Sequence, residues 1–362
     1  MRTLVIGDIH GCFLELEELI TKAQLTEEDR IIALGDILDR GPDSKKVFEY
    51  FIQANNAITI KGNHERKNYL SYKGEIKPSI SQVLTRQEFG ENKYQDLISF
   101  IETLPPYIEL PEAILVHGYL EPNIPLNQQK ETILAGTLSA FNYLEKRYPL
   151  PWYELYSGRK PVIVGHEDYS GNNTTFIYND IVYGIDTDCC TGGHLTGIIL
   201  PDFEILSVPS HRNYWKERKI EAIIAKLSKM TINNISWTET MQLKEQLEKP
   251  APYLEKRLKI LDNLSQLINI IENTLDEFYS YIIEKDKQVL RYLEQEEGFS
   301  AMPQKKQGSA YSKYIGETPI KDLLHLARMG SLVKESFQNK FKKPSDLIKL
   351  ARRTKLYYKK LK

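Results

Sequence analysis

The stretch that decides the fold is Gly62-Asn63-His64-Glu65, which directly follows the apolar run Ala57-Ile58-Thr59-Ile60. A short β-type run that ends in glycine and then in polar side chains indicates a strand that places chemistry at its carboxyl end, where sites form in open α/β sheets. Asn63 and His64 are adjacent, so after one sharp turn one of them can hold a metal while the other faces a substrate. The tetrapeptide alone is a weak signal, and its value depends on the rest of the chain.

Four further strand-like runs also end in polar clusters, namely GDIHG at 7–11, GDILDRG at 35–41, His117-Gly118 and Gly165-His166. Hard-to-borderline divalent metals prefer carboxylate oxygen, amide oxygen and imidazole nitrogen as ligands. The side chains in these clusters that supply such atoms are Asp8, His10, Asp36, Asn63, His117 and His166. Because a carboxylate has two oxygens, Asp36, central in chain order, is the natural bridge between two ions that clamp a phosphoryl group and activate water.

The first 210 residues alternate apolar strand-like runs with helical patterns, which is typical of an α/β layered fold. Short strands are predicted at residues 4–6, 31–34, 57–60, 114–116 and 162–164. Residues 175–208 contain four more apolar runs with turns at Asn179-Asp180 and Pro201-Asp202, and this pattern predicts an antiparallel meander.

The character of the chain changes after Pro209, where helical periodicity takes over. Apolar residues spaced by threes and fours from Leu254 to Ile282 predict one long helix or coiled-coil segment, whose stripe either forms a packing seam, mediates a homodimer or folds back as a cap. Residues 298–316 are predicted to be a loop or linker. We therefore expect a catalytic domain at 1–210 and a helical, basic module at 211–362.

Charge is distributed unevenly between these two parts. Residues 211–362 hold 30 Lys and Arg against 19 Asp and Glu, which leaves 18 against 30 in residues 1–210. From residue 321 onward there are 13 basic and three acidic residues. This favours a solvated helical face, or one docked on the acidic module, with RNA, a nucleotide or an anionic membrane as an alternative partner.

Composition also bounds the location of the protein. The three cysteines, Cys12, Cys189 and Cys190, form no disulfide framework and fit a reducing compartment. No apolar run is long enough for a transmembrane helix, and Met1 leads almost directly into a strand, so we expect neither a membrane span nor a signal peptide. A cytoplasmic location is predicted.

The ordered series GDIHG, GDILDRG, GNHE, His117-Gly118 and Gly165-His166 resembles the phosphoprotein-phosphatase branch of the calcineurin-like metallophosphoesterases, over about residues 1–210. The resemblance includes bacterial serine/threonine phosphatases and diadenosine-tetraphosphate hydrolases. It implies an α/β fold, a β-sandwich flanked by helices with a di-metal site at one edge. In that arrangement Asp8 and His10 hold one metal, Asp36 bridges, and Asn63, His117 and His166 hold the second. Mn²⁺ is the expected metal, and Fe and Zn suit the same ligands.

The resemblance also implies roles around the leaving group. His64 acts as general acid with Asp39 orienting it, and Arg40 holds phosphate oxygens through its guanidinium fork. Arg159 is the candidate for a second phosphate-binding arginine, with Lys160 as the alternative.

Together these features predict a di-metal-dependent phosphoesterase that hydrolyses phosphate monoesters, either phosphoserine/threonine proteins or small esters. Asp39 and Glu65 favour the protein-phosphatase side, because symmetrical diadenosine-tetraphosphate hydrolases tend to differ at both positions. The alternative is a pyrophosphohydrolase of dinucleoside polyphosphates or capped RNA. A third hypothesis, an inactive scaffold whose helical tail binds partners, is disfavoured by the intact ligand set.

Overall fold

The computed structural model describes residues 1–255 and 257–359, with side chains as far as Thr354. The chain divides into two compact units, Met1–Glu221 and Ala222–Lys362. The division falls inside a helix, Tyr214–Ser228, that begins just after the boundary predicted at residue 210. The hydroxyl of Tyr214 donates to the buried Glu15 carboxylate at 2.9 Å, so the first turn of this helix packs with the first unit.

The described strands all belong to the first unit. In chain order they are β1 (Thr3–Ile6), β2 (Arg30–Ala33), β3 (Ala57–Thr59), β4 (Tyr107–Glu109), β5 (Ile114–Val116), β6 (Val162–Val164), β7 (Phe176–Tyr178), β8 (Val182–Gly184), β9 (Asp186–Thr187), β10 (His194–Leu200) and β11 (Glu204–Pro209).

The helices of the first unit flank these strands. They are α1 (Phe13–Ala23), α2 (Ser44–Gln53), α3 (Asn63–Tyr72), α4 (Ile80–Thr103), α5 (Glu131–Leu134), α6 (Leu138–Arg147), α7 (Trp152–Leu155) and the start of α8 (Tyr214–Ser228).

Two mixed sheets form the centre of this unit. The first has the order β11-β10-β1-β2-β3, with β9 beside β10, and the second has the order β4-β5-β6-β8-β7. Strands β1, β2 and β3 run parallel, as do β5, β6 and β8. The carboxyl ends of three parallel strands therefore meet at one edge of each sheet.

Alternation along the strands determines which face packs where. In β1, Leu4 and Ile6 contact the core under α1 and α2, whereas Val5 faces the second sheet. Leu115 and Ile163 meet Val5 from that second sheet, so the two sheets share a buried layer. This arrangement is the predicted α/β fold, a β-sandwich flanked by helices.

The meander predicted for residues 175–208 is wrong in one respect. Strands β7 and β8 form one antiparallel hairpin and β10 and β11 form another, but the first lies in the second sheet and the other in the first sheet. The chain crosses between the sheets at Ile185, where the strand pattern continues without a break visible in the sequence.

The second unit is helical throughout the residues that the structure describes. After the end of α8 its helices are α9 (Trp237–Glu248), α10 (Pro252–Glu255), α11 (Leu258–Glu297), α12 (Gln304–Ile315), α13 (Lys321–Arg328), α14 (Lys334–Lys340) and α15 (Pro344–Lys359). The predicted long helix is present as the 40-residue α11. The linker predicted at 298–316 is wrong, because α12 lies there and buries Tyr311 completely.

The apolar stripe of α11 packs inside this unit. Ile268 and Ile271 contact the core near α9, whereas Phe278 and Ile282 contact the core formed with α12, α13 and α15. Most of the stripe residues offered above for a homodimer are therefore covered by helices of the same unit, with Leu258 exposed, which favours the packing-seam interpretation.

Part of the basic tail is neutralised locally. Lys340 pairs with Asp322 at 2.7 Å, and Lys334 pairs with Asp276. The last cations predicted to grip an anionic partner, from Lys355 onward, lie outside the residues whose side chains are described. Among the described helices, none is both long and apolar enough to cross a membrane.

Candidate metal centre

Polar side chains converge where the parallel strands of the two sheets end. Asp8 and His10 follow β1, Asp36 follows β2, and Asn63 begins α3 directly after β3. His117 and His166 reach the same place from β5 and β6 of the second sheet. Three of these residues and two of their neighbours adopt a left-handed backbone, with φ between 47° and 73°. They are His10, Asp36 and His166, together with Asp39 and Arg40. Such conformations cost about 1–3 kcal/mol each and concentrate at functional sites.

One half of the cluster consists of His10 and two carboxylates. The Nδ1 of His10 lies 2.7 Å from the carbonyl oxygen of Leu38, to which it must donate, so Nε2 carries the lone pair. This Nε2 is buried, has no hydrogen-bond partner in the described part of the chain, and lies 3.9 Å from Asp8 and 3.7 Å from Asp36. An imidazole lone pair that faces two carboxylates fits a cation between them.

The other half consists of Asn63, His117 and His166. His117 Nδ1 donates to the carbonyl of Leu34 at 2.9 Å, which directs its Nε2 lone pair toward the cluster. That Nε2 lies 3.4 Å from Asp36 Oδ1, so Asp36 contributes to both halves, as a bridging ligand would. The amide oxygen of Asn63 lies 3.0 Å from His117 Nε2 and 2.9 Å from His166 Nδ1.

The orientation of the Asn63 amide also fits a cation. Its oxygen faces acceptor atoms of the cluster and its nitrogen faces Lys67 Nζ at 2.9 Å. Turning the amide over would let it donate to Asp36, His117 and His166 and accept from Lys67. Without an ion the turned amide makes the better contacts, and a cation among these acceptors would favour the oxygen-inward orientation.

Electrostatics concentrate negative charge at this point. Burial, reinforced by Asp186, raises the pKa of Asp8 well above its ordinary value. Burial alone would lower the pKa of His117, but Asp36 and Asp8 raise it to about 10. Burial and the neighbouring His117 lower the pKa of His166 to about 3. Without an ion the carboxylates therefore hold a proton on His117, and a divalent cation would displace that proton and bind the Nε2 lone pair.

A separate network holds His64 beside the cluster. The Nδ1 of His64 lies 2.6 Å from Asp39 Oδ2, and both side chains are buried. Asp39 also accepts hydrogen bonds from Gln82 at 2.5 Å, Thr85 at 2.6 Å and Asn68 at 3.2 Å. The Nε2 of His64 is buried and has no hydrogen-bond partner among the described residues. The imidazole is therefore fixed at one end and available at the other.

Glu65 stabilises the loops that carry the ligands. Its carboxylate accepts from the backbone N–H groups of Asp36 at 2.7 Å, Ile37 at 3.1 Å and Gly62 at 3.0 Å. Gly62 is required at this junction, because an added Cβ would lie 2.2 Å from Asp36 Oδ1. Glu65 thus ties the β2 loop to the β3 loop and orients its neighbours.

Arg40 is half-buried beside the carboxylates. Burial alone would lower the pKa of its guanidinium, but the Cys190 thiol, Asp36 and Asp8 raise it. The adjacent Cys189 and Cys190 are buried and free. A permanent cation beside an anionic cluster is suited to holding phosphate oxygens.

The structure does not bring Arg159 to this cluster. Arg159 is exposed and precedes the amino end of β6, whereas His166 follows the carboxyl end of the same strand. The alternative, Lys160, is bound at that same far end, where its Nζ contacts Glu109 at 2.7 Å and the carbonyl of Leu110 at 2.9 Å. Position along a strand, rather than closeness in sequence, decides which end of a sheet a residue reaches.

Sequence reasoning missed several residues that the structure brings to the site. Lys67 lies one turn after Asn63 on α3, and this i,i+4 spacing was the signal that could have revealed it. Asp186, whose pKa burial raises to about 6, adds negative charge beside Asp8. Gln82 and Thr85 come from α4, and no local motif marked them.

Comparison with known proteins agrees with this geometry. The family model described as calcineurin-like phosphoesterase matches residues 1–196. This chain belongs to the calcineurin-like phosphoesterase family. Members of this family use a binuclear centre of divalent metals, and the cluster around Asp36 has the donor atoms for it. The chain is accordingly a hydrolase of the phosphoesterase class.

Similar proteins with curated names come from bacilli. The chain is 28% identical over 245 residues to a protein of Oceanobacillus iheyensis, covering 60% of this chain and 96% of that protein. It is 30% identical to a protein of Bacillus subtilis, covering 59% of this chain and 97% of that protein. Both are named asymmetrical bis(5'-nucleosyl)-tetraphosphatase PrpE. A crystal structure of a metallophosphoesterase from Sphaerobacter thermophilus is 18% identical, with a TM-score of 0.38, over 61% of this chain and 94% of that one.

Proposed function

We propose that this metallophosphoesterase cleaves the phosphoanhydride chain of dinucleoside polyphosphates, the function that was the alternative on sequence grounds. The carrying observation is that relatives named bis(5'-nucleosyl)-tetraphosphatase align over 96–97% of their own length. The contacts of Asp39 and Glu65 in the site reduce the support that these residues gave to a protein phosphatase. Glu65 binds backbone N–H groups and Asp39 binds His64, so neither side chain is directed at a substrate.

The proposed roles of the chain's residues follow from their positions. Asp8, His10, Asp36, Asn63, His117 and His166 would hold two divalent ions, for which we propose Mn²⁺. When bound, such ions polarise phosphoryl oxygens and lower the pKa of water. Arg40 would bind phosphate oxygens through charge-assisted hydrogen bonds. His64, oriented by Asp39, would deliver a proton from Nε2 to the oxygen that leaves.

Phosphate monoester hydrolysis is the second candidate, because of the His64–Asp39 pair. An alkoxide leaving group needs protonation far more than a nucleotide phosphate does, since a phosphate is a stable anion near neutral pH. A buried imidazole whose Nε2 has no partner among the residues that the structure describes suits the more demanding leaving group.

Product analysis distinguishes the two candidates. The purified full chain with Mn²⁺ is incubated with diadenosine tetraphosphate and, separately, with a phosphoserine peptide. We expect cleavage of the tetraphosphate with a kcat/KM at least 100-fold above that for the peptide. Off-centre cleavage yields ATP and AMP, and central cleavage yields two ADP. Faster release of phosphate from the peptide would refute the proposal and favour the monoesterase. His64→Asn serves as the control for contaminating phosphatases.

Two further expectations stay proposals. We place the enzyme in the cytoplasm, which the free thiols of Cys12, Cys189 and Cys190 favour. An anionic partner for the basic residues after 321 is supported only by their excess of charge, part of which is paired within the unit.

A further inference from the structure

A cavity of about 500 Å³ opens beside the metal centre, within the first unit. Its walls come from the loop after β5, from α6 and α7, and from the loop after β6. Pockets of this size accommodate a compact organic group. None of the catalytic roles proposed above uses it.

The walls of the cavity are strongly aromatic. The rings that line it are Tyr119, Phe141, Tyr148, Trp152, Tyr153 and Tyr169. Several of them support one another: Tyr153 meets Tyr169 at 5.7 Å between ring centroids, and Trp152 Nε1 donates to Tyr169 Oη at 3.2 Å. The walls are therefore held in place by contacts within the protein, and their surfaces suit a flat, apolar ring.

The charges that line the cavity are all negative. Glu145, Glu167 and Asp168 line it, and no Lys or Arg occurs among its wall residues, each of which lies in the described part of the chain. Asp168 is occupied by its own loop, since it accepts from Ser170 at 3.0 Å and from the N–H of Asn173 at 2.8 Å. Glu145 and Glu167 remain as acceptors for N–H groups. This chemistry repels phosphate and suits an uncharged ring that carries amino groups.

The cavity adjoins the metal centre directly. The ring of Tyr119 packs edge-on against His166, with centroids 5.4 Å apart, and also lines the cavity. Glu167, the residue after His166, accepts from the Tyr119 hydroxyl at 3.4 Å. A ligand with its phosphate chain at the ions would thus have its nearest organic group beside these walls.

We propose that this cavity binds the nucleobase of the nucleotide substrate, by stacking on its aromatic walls and by hydrogen bonds from base amino groups to Glu145 or Glu167. The inference rests on the proposed function, since it assigns a place to the nucleoside of that substrate. Such a pocket would let the site select a nucleotide over inorganic polyphosphate. Stacking of a base on an aromatic ring contributes about 1–3 kcal/mol.

The test compares substrates with and without a base. For each variant, kcat/KM is measured for diadenosine tetraphosphate and for inorganic tripolyphosphate, and their ratio is taken. Phe141→Leu and Tyr153→Leu remove rings from the cavity but keep apolar volume, and we expect each to lower the ratio about tenfold. Phe100→Leu is the matched control, a half-buried ring of α4 outside the cavity, and it should leave the ratio unchanged.

The outcomes separate this inference from the proposed function. If diadenosine tetraphosphate is cleaved and both cavity variants keep the wild-type ratio, the nucleobase assignment is wrong and the proposed function stands. If the tetraphosphate is not cleaved, the proposed function fails. The nucleobase assignment is then tested separately by the binding of adenosine, measured as quenching of tryptophan fluorescence. Quenching that Phe141→Leu abolishes supports the nucleobase site. Absence of quenching, or stronger binding of a lysine-rich peptide than of adenosine, overturns it.

Discussion

Oδ2 of Asp39 lies 2.6 Å from Nδ1 of His64, and three further side chains donate to the same Asp39 carboxylate. This relationship fixes the tautomer and the plane of His64, because Nδ1 must carry the proton that the carboxylate accepts. The opposite nitrogen, Nε2, points into the site and has no hydrogen-bond partner among the described residues. When Nε2 also carries a proton, the imidazolium is a proton donor whose position and charge Asp39 supports.

Asp39→Asn should lower kcat about 100-fold or more, because the general acid loses its orienting carboxylate. The bound metal should be unchanged, since Asp39 is not among the proposed ligands. The double variant with His64→Asn should be no slower than His64→Asn alone, as residues acting as one unit are not additive. Additive losses in kcat would show that the two side chains act independently.

Gly136→Ala should weaken the half of the centre that contains His166. Gly136 has φ of +62°, and an added Cβ would lie 2.6 Å from the imidazole of His166. In equilibrium dialysis we expect Gly136→Ala to bind the weaker of the two Mn²⁺ ions with at least tenfold lower affinity than the wild type does.

Gly74→Ala is the matched control for this glycine. Gly74 also has a positive φ, +77°, but open space surrounds the position of its Cβ. Both variants carry a backbone cost of about 1–2 kcal/mol in unfolding free energy. Equal loss of metal in the two would show that backbone strain alone, and not contact with His166, is responsible.

Glu65→Gln should destabilise the metal-free protein by about 2–4 kcal/mol, because a buried carboxylate that binds three backbone N–H groups is replaced by an amide with one acceptor oxygen. Urea unfolding followed by tryptophan fluorescence measures this change. A variant as stable as the wild type would contradict the role assigned to Glu65 in joining the two loops.

The contacts of Glu239 in the helical unit predict how the unfolding free energy depends on pH. It pairs with Lys226 at 2.8 Å and forms a capping box with Ser236, and these contacts lower its pKa to about 2. Because the pKa is depressed on folding, the stabilisation is present above its ordinary value of 4.5 and is lost as the pH falls toward 2. Glu239→Gln should therefore cost about 1 kcal/mol of unfolding free energy at pH 7 and much less near pH 2.

The exposed Glu245 of the same helix provides the comparison. Glu245→Gln should leave the unfolding free energy within about 0.5 kcal/mol of the wild type at pH 7. If Glu239→Gln and Glu245→Gln lower the unfolding free energy equally, the capping box makes no specific contribution to stability.

The sequence predicted which side chains lie together where strand order and chain geometry determine their positions. Asp8, Asp36 and Asn63 follow the parallel strands β1, β2 and β3, whose carboxyl ends lie side by side, so they meet whatever lies between them in the chain. The same geometry explains why Arg159, which precedes the amino end of its strand, lies away from the cluster.

Other features depended on packing that no local pattern records. Strands β8 and β10 have similar apolar runs, so the sequence does not show that they belong to different sheets. Their sheets are set by tertiary pairing, of β8 with β6 and of β10 with β1. Residues 298–316 contain glycines that suggest a loop, yet Tyr311 is buried there and donates to Asp286 at 2.5 Å and to the carbonyl of Leu324. Tertiary contacts override a weak helix propensity at such positions.

The central claim is that the cluster around Asp36 binds two catalytic ions that serve cleavage of a dinucleoside polyphosphate. The most direct measurement determines bound Mn²⁺ and diadenosine tetraphosphate hydrolysis on the same samples of the full chain, stripped by chelation and then titrated with metal. We predict that the protein binds two equivalents of Mn²⁺ and that activity returns as they bind. In Asp36→Asn we expect loss of the second equivalent and of at least 99.9% of the activity. A loss of this size corresponds to roughly the several kcal/mol of charge stabilisation that such ions supply. Undiminished hydrolysis by the metal-free protein, or by Asp36→Asn, would contradict the account.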